Sequence, residues 1–172
     1  MNQINIEIKA RCSDPERIRA ILEKEGADYK GLDHQTDIYF KVPKGRLKLR
    51  KGDIENCLIF YSRDNQKSPK QSDVILTKTK PEPAIEKILT IALSVLVKII
   101  KKRHIYFIEN VKFHIDLVEG LGSFVEIEAI DRQANIGKQK LFEQCRHYMD
   151  LLGIKENDLV QNSYSDMLLA KQ

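Results

Sequence analysis

Apolar and polar residues alternate strictly from the start of the chain. Over residues 2–12, Ile4, Ile6, Ile8 and Ala10 fall on one side of an extended backbone and Asn5, Glu7, Lys9 and Arg11 on the other, because strand side chains alternate with a period of two. The pattern predicts a strand with two committed faces. Ser13-Asp14-Pro15-Glu16 interrupts it: Asp14 can cap a helix, Pro15 suits the first turn, and Ile18, Ile21 and Leu22 form one stripe before Gly26. Period-two runs return over 36–42, 45–51 and 57–63, divided by the turn formers Pro43-Lys44-Gly45 and Gly52-Asp53, so an antiparallel meander is expected. Residues 65–80 read as a polar loop carrying a strand at 73–78.

From Pro83 the period becomes helical, with Ile85, Ile88, Leu89, Ala92, Val95 and Leu96 on the side expected to be buried. Strands follow over 99–109, 111–118 and 124–130, with turns at Asn110 and at Glu119-Gly120-Leu121-Gly122. A long helix over 137–152 sets Leu141, Cys145, Met149 and Leu152 at helical spacing ahead of Gly153, and a short helix over 163–170 closes the pattern. No change of composition marks a linker, and 172 residues fit one domain. The most apolar stretch, 85–100, is broken by Glu86, Lys87 and Lys98 and falls short of the roughly 20 apolar residues of a membrane span. The first residues lack a secretory pattern. Cys12, Cys57 and Cys145 lie far apart without metal-like spacing. A soluble, cytoplasmic chain without a membrane partner is expected.

Charge sharpens the picture. The chain has 29 basic and 25 acidic residues for a net charge of +4, too little for a one-signed field that grips nucleic acid. Carboxylates interleaved with lysines would also repel a phosphate backbone, so no nucleic-acid partner is expected. Arg46, Lys48 and Arg50 oppose Leu47 and Leu49; Lys112, His114 and Asp116 oppose Phe113, Ile115 and Leu117; Glu126 and Glu128 oppose Val125, Ile127 and Ala129; Lys101 and Arg103 oppose Ile100. By itself the alternation is met equally by solvated outer faces of a half-buried sheet, with ion pairs across strands. If the amphipathic helices instead cover the apolar faces, the charged faces turn toward one another and closure removes the sheet edges. That fold is α+β, a closed antiparallel barrel of about eight strands with helices outside. Buried charges must be paired or bound; basic groups match phosphate oxygens, and carboxylates match Mg²⁺ or Mn²⁺.

Several ordered blocks point the same way. Asn5-Ile6-Glu7-Ile8-Lys9, Thr36-Asp37-Ile38-Tyr39-Phe40, Arg46-Leu47-Lys48-Leu49-Arg50, Leu58-Ile59-Phe60-Tyr61-Ser62-Arg63 and Lys101-Lys102-Arg103 are followed by a block running from His114 through Gly120-Leu121-Gly122 to Glu126-Ile127-Glu128. In order and spacing the chain resembles the CYTH superfamily, which groups class IV adenylate cyclases, thiamine triphosphatases and inorganic triphosphatases in a triphosphate tunnel fold. The resemblance implies one CYTH-like domain over 1–172. It implies that Lys9, Lys48, Arg50, Arg63, Lys101 and Arg103 bind a triphosphate, with Arg46 and Lys70 as lesser contributors. Glu7, Asp116, Glu126 and Glu128 would be catalytic, holding Mg²⁺ or Mn²⁺ or orienting the reacting group. Asn5 stands where the signature has its first glutamate, which removes one anionic ligand, since an amide oxygen brings no charge.

Two reactions suit such a site: attack of a ribose 3′-hydroxyl on the α-phosphorus of ATP, or attack of water on a terminal phosphorus. The ending Asn162-Ser163-Tyr164-Ser165-Asp166 resembles that of cyclase-like bacterial members, so conversion of ATP to cyclic AMP and pyrophosphate is the leading expectation. Hydrolysis of thiamine triphosphate or tripolyphosphate is the alternative, and a non-catalytic nucleotide or polyphosphate binder a third reading, favoured only by Asn5. The expected partner is a small-molecule triphosphate, with a homodimer left open. His114 is expected to serve the wall of the barrel, and Tyr39 and Tyr61 to pack.

Overall fold

A computed structural model describes residues 2–62, 68–80, 82–133 and 135–172. Among these residues eight strands are present: β1 (Asn2–Arg11), β2 (Asp28–Phe40), β3 (Arg46–Lys51), β4 (Cys57–Ser62), β5 (Lys70–Lys78), β6 (Val95–Ile108), β7 (Val111–Val118) and β8 (Gly122–Asp131). They close into a barrel in the order β1-β5-β4-β3-β2-β6-β7-β8, with every neighbouring pair antiparallel. Four helices lie outside it: α1 (Pro15–Lys24), α2 (Pro83–Leu93), α3 (Lys138–Leu152) and α4 (Tyr164–Leu169). No helix among the described residues is long and apolar enough to cross a membrane.

The apolar strand faces turn outward because helices cover them. Ile6, Ile8, Ala10, Phe113, Ile115, Val125 and Ile127 form one core with Ile18 and Leu22 of α1 and with Leu141, Cys145, Met149 and Leu152 of α3. Full burial of such aliphatic side chains stabilises by about 1.5–3 kcal/mol each. Asp14 caps α1 by accepting a hydrogen bond from the Arg17 amide at 3.1 Å, as the sequence predicts. Ile85, Leu89 and Leu93 of α2 pack on Ile38, Phe40 and Leu49. With the outer face occupied, the charged residues point inward, and Lys9, Asp37, Arg50, Lys101, Arg103 and Asp116 are all buried.

α4 takes a different post. Together with residues 160–163 it lies across one end of the barrel, where Tyr164 packs with Tyr39, Val97, Val118 and Phe124. The Val160 amide donates to the Lys9 carbonyl at 2.8 Å, and Ser163 and Asp166 form a reciprocal capping box that starts the helix.

Three elements differ from the sequence reading. β2 begins at Asp28, not 36, because it pairs with β6 along its whole length, with an irregularity between Tyr29 and Gly31. β5 begins at Lys70, not 73, since that end pairs with Glu7 of β1. The second helix ends at Leu93, where Ser94 adopts a positive φ of 62°; Val95 and Leu96 therefore belong to β6. Ile88 and Ile91 of α2 are 63% and 75% exposed. Ile88 and Ala92 thus face away from the barrel, as the stripe of Ile85, Leu89 and Leu93 already covers it.

Candidate active site inside the barrel

Strand register assembles the interior into rows. Glu7 of β1 faces Glu128 of β8, which faces Lys112 of β7, which faces Phe107 of β6. The next row runs Lys9, Glu126, His114 and Ile105, and the one after it Phe124, Asp116 and Arg103. On the opposite wall Asp37 faces Arg50 and Tyr39 faces Lys48. These side chains surround a cavity of about 820 Å³ whose lining includes Glu7, Lys9, Lys48, Arg50, Lys101 and Arg103.

Cations on the β2–β3–β6 wall converge on one carboxylate. Arg50 grips Asp37 with two parallel hydrogen bonds of 2.8 and 2.9 Å, Lys101 donates to it at 2.7 Å and Lys48 at 3.3 Å. Burial alone would raise the Asp37 carboxyl, but Arg50, Lys101 and Lys48 hold it well below the usual carboxylate range. Burial brings the Lys101 ammonium down to about 7, aided by Arg50, Arg103 and Lys48 and opposed by Asp37. Arg50, Lys48 and a partly protonated Lys101 around one carboxylate leave the cluster positive, ready for a more highly charged anion.

At the barrel mouth Glu55 joins this network. It accepts from Arg50 at 2.9 Å and from Gln35 at 3.2 Å, and pairs with Lys112. The turn that carries it is fixed by Asp33, which accepts from the Ile54 and Glu55 amides at 2.9 and 3.0 Å. Gly52 is required there, since a Cβ would sit 2.6 Å from Asp33 Oδ1 and 2.8 Å from the Glu55 carbonyl oxygen. Val74, Leu76, Ile105, Phe107 and Ile130 add apolar lining. Phe107, which faces Lys112, and Ile130, two residues beyond Glu128, lie on the Glu55 side, whereas Ile105 faces His114 and Val74 and Leu76 pack against the cluster that holds Tyr61 and Tyr164.

The β7–β8 wall carries the acids. Arg103 donates to Asp116 at 2.7 Å and to Glu126 at 3.1 Å. Lys9 pairs with Glu126 at 3.4 Å, and the His114 Nδ1 lies 3.1 Å from the same carboxylate. Burial would raise Glu126, yet Lys9, Arg103 and His114 hold it well below its ordinary value. Burial, with Arg103 and Lys112 nearby, lowers the His114 imidazole against the opposing pull of Glu128 and Glu126. His114, Glu126 and Glu128 each offer a ligand atom within 4.8 Å of the others. That spread matches donors around one divalent cation with bonds of about 2.1–2.5 Å, so this set fits a metal ion.

The far end is closed by the C-terminal segment. Tyr164 donates to Asp116 at 2.8 Å and lies 3.8 Å beneath the Lys9 ammonium, a cation over the ring face. Lys70 donates to the Gln161 carbonyl at 3.0 Å, and Arg46 pairs with Asp166 at 3.0 Å.

Of the residues expected from sequence, Glu7, Lys9, Lys48, Arg50, Lys101, Arg103, Glu126 and Glu128 line the cavity. Asp116 engages Arg103 and Tyr164, whereas Arg46 and Lys70 tie down the C-terminal segment. Arg63 lies outside the described residues. Sequence reasoning passed over Asp37, Glu55 and Tyr164. Alternation of Asp37 and Tyr39 with Ile38 and Phe40 could have marked Asp37 as inward; Glu55, in a turn, carries no periodic signal.

Comparison with known proteins agrees with this geometry. A protein of Methanocaldococcus jannaschii provisionally named an adenylate cyclase is 26% identical over 172 residues, covering 95% of this chain and 98% of its own. A solved structure from Pyrococcus horikoshii is 28% identical, covers 94% of this chain and 98% of its own, and superposes with a TM-score of 0.76. A Hippeastrum protein, provisionally named an adenylyl cyclase and described as having a dominant triphosphatase activity, shares the fold at 14% identity and a TM-score of 0.63, covering 98% and 95% of the two chains. The family model for the CYTH domain matches residues 3–164. With a barrel closed around inward-facing cations and carboxylates, the chain belongs to the CYTH domain family.

Proposed function

We propose that the protein is a divalent-metal-dependent enzyme that converts ATP to cyclic AMP and pyrophosphate inside the barrel. One observation carries this reading: a single cavity is lined by a cation cluster, a carboxylate set and apolar side chains together. Lys9, Lys48, Arg50, Lys101 and Arg103 bind the phosphate oxygens, the arginines being held in place by Asp37 and Asp116. The apolar lining residues, Phe107 and Ile130 among them, suit an organic group attached to the triphosphate. Glu126 and Glu128, with Glu7 facing them, hold the divalent cation, which supplies charge neutralisation and polarises phosphate oxygens when bound. Enclosure in the barrel strengthens every one of these contacts by excluding water. The ribose 3′-hydroxyl then attacks the α-phosphorus in line, its proton passing to solvent by way of a carboxylate of the acidic wall, while the bond from the α-phosphorus to pyrophosphate breaks and pyrophosphate departs with its charge held by the same cations. No side-chain nucleophile is needed.

Hydrolysis is the second reading, favoured by the triphosphatase activity of the Hippeastrum protein. The same cations would hold the triphosphate with water as the nucleophile. Incubation with Mg²⁺ or Mn²⁺ and, in parallel, ATP, thiamine triphosphate and tripolyphosphate distinguishes them by chromatography. Cyclic AMP with pyrophosphate is expected. Orthophosphate alone assigns hydrolysis, and an absence of product from all three would sink the catalytic reading.

A further inference from the structure

Among the described residues, His114 is the inward-facing histidine of the carboxylate wall, and a role in packing leaves its bonding unexplained. It is 1% exposed. Nδ1 points between two carboxylates, 3.1 Å from Glu126 Oε2 and 3.6 Å from Glu128 Oε1. Nδ1 is the nitrogen within hydrogen-bond distance of Glu126, and Nε2 is buried with no hydrogen-bond partner among the described residues. The register sets Glu7 directly opposite Glu128, with Lys70 and Lys112 as their neighbours on the other sides. At the position of Asn5 the amide oxygen already accepts from Gln3 at 3.1 Å.

We propose that His114 binds the divalent cation directly through Nδ1, beside Glu126 and Glu128, and that this nitrogen turns the site's preference from Mg²⁺ toward Mn²⁺. The inference rests on the metal-dependent reading above. Two ligands at right angles on a cation with bonds of about 2.1–2.2 Å lie about 3.0–3.1 Å apart, and a tetrahedral pair about 3.5 Å. The separations of Nδ1 from the two carboxylates, 3.1 and 3.6 Å, are of that size. Nothing among the described residues claims Nε2, so the ring can carry its proton there while Nδ1 binds. Mg²⁺ strongly prefers oxygen ligands and sheds water reluctantly, whereas Mn²⁺ takes carboxylates and stands above it in accepting imidazole nitrogen.

The test uses the full chain with Mn²⁺ alone, read by pulsed electron paramagnetic resonance. A ¹⁴N coupling from a directly bound imidazole is expected, replaced by a ¹⁵N coupling in protein grown on ¹⁵N-histidine. It should vanish in His114→Gln, where the ratio of Mn²⁺ to Mg²⁺ affinity falls by on the order of tenfold. The other histidines, His34, His104 and His147, are not among the cavity-lining residues. A triple variant replacing them with glutamine keeps His114 alone and should keep the coupling, which covers the case of His114→Gln failing to fold. Bound Mn²⁺ without nitrogen coupling, or coupling lost in the triple variant, would overturn the proposal. Turnover assayed in parallel separates the two readings. Product formed by a Mn²⁺ enzyme lacking the coupling removes His114 alone, while coupling without turnover of any triphosphate supports His114 and removes the catalytic reading.

Discussion

Burial, with Arg50, Arg103 and Lys48 around it, brings the Lys101 ammonium down to a pKa of about 7, against 10.5 for an ordinary lysine, although Asp37 at 2.7 Å pulls the other way. Below about pH 7 the folded and unfolded chains are both protonated there, and between about 7 and 10.5 the unfolded chain binds more protons. This group's contribution to stability therefore rises with pH across that window. A triphosphate restores the proton by adding negative charge. Calorimetry of tripolyphosphate binding at about pH 8, in buffers of different ionisation enthalpy, should detect uptake approaching one proton, abolished in Lys101→Met. Asp37→Asn would leave Arg50, Lys101 and Lys48 facing one another. A loss of about 3–5 kcal/mol is expected from urea denaturation, partly recovered on adding tripolyphosphate; an unchanged midpoint would mean that the cations do not depend on Asp37.

The C-terminal segment is held by Tyr164 to Asp116, Arg46 to Asp166, Lys70 to the Gln161 carbonyl and the Val160 amide to the Lys9 carbonyl. Tyr164→Phe keeps the ring and removes a hydrogen bond to a charged acceptor, so thermal unfolding should register a loss of about 1.5–3 kcal/mol. Elements of this kind differ in how plainly the sequence announces them. β1, β3, β7 and β8 alternate over most of their length, and α3 keeps its apolar positions at helical spacing, so their faces could be read directly. The first part of β2 could not, because Asp28 to Gln35 is mostly polar and becomes a strand only by pairing with β6. Local pattern also misjudged α2, whose apolar residues run round the helix while the barrel accepts only one stripe. The cations of the site were legible because they share strand faces. Asp37 was not singled out and Glu55 could not be, since its reach to Arg50 and Lys112 depends on a turn fixed by Asp33 and Gly52.

For the molecule as a whole, closure makes the interior one electrostatic unit, in which each residue acts through the same small volume. Arg50→Ala and Glu126→Ala lie on opposite walls, yet each is expected to lower kcat/KM by roughly 100-fold or more while circular dichroism shows a folded barrel; full activity in both would refute the site. Chelation of divalent metal should stop turnover, and added Mn²⁺ should restore it. The segment across the far end carries a further consequence. A chamber with one door makes its contents queue: the phosphate tail that enters first must leave last. For a cyclase, pyrophosphate would then be trapped behind the nucleotide. Product-inhibition kinetics should find pyrophosphate competing with ATP for the empty enzyme and cyclic AMP acting noncompetitively; the opposite pattern would mean that the closed end opens during each cycle.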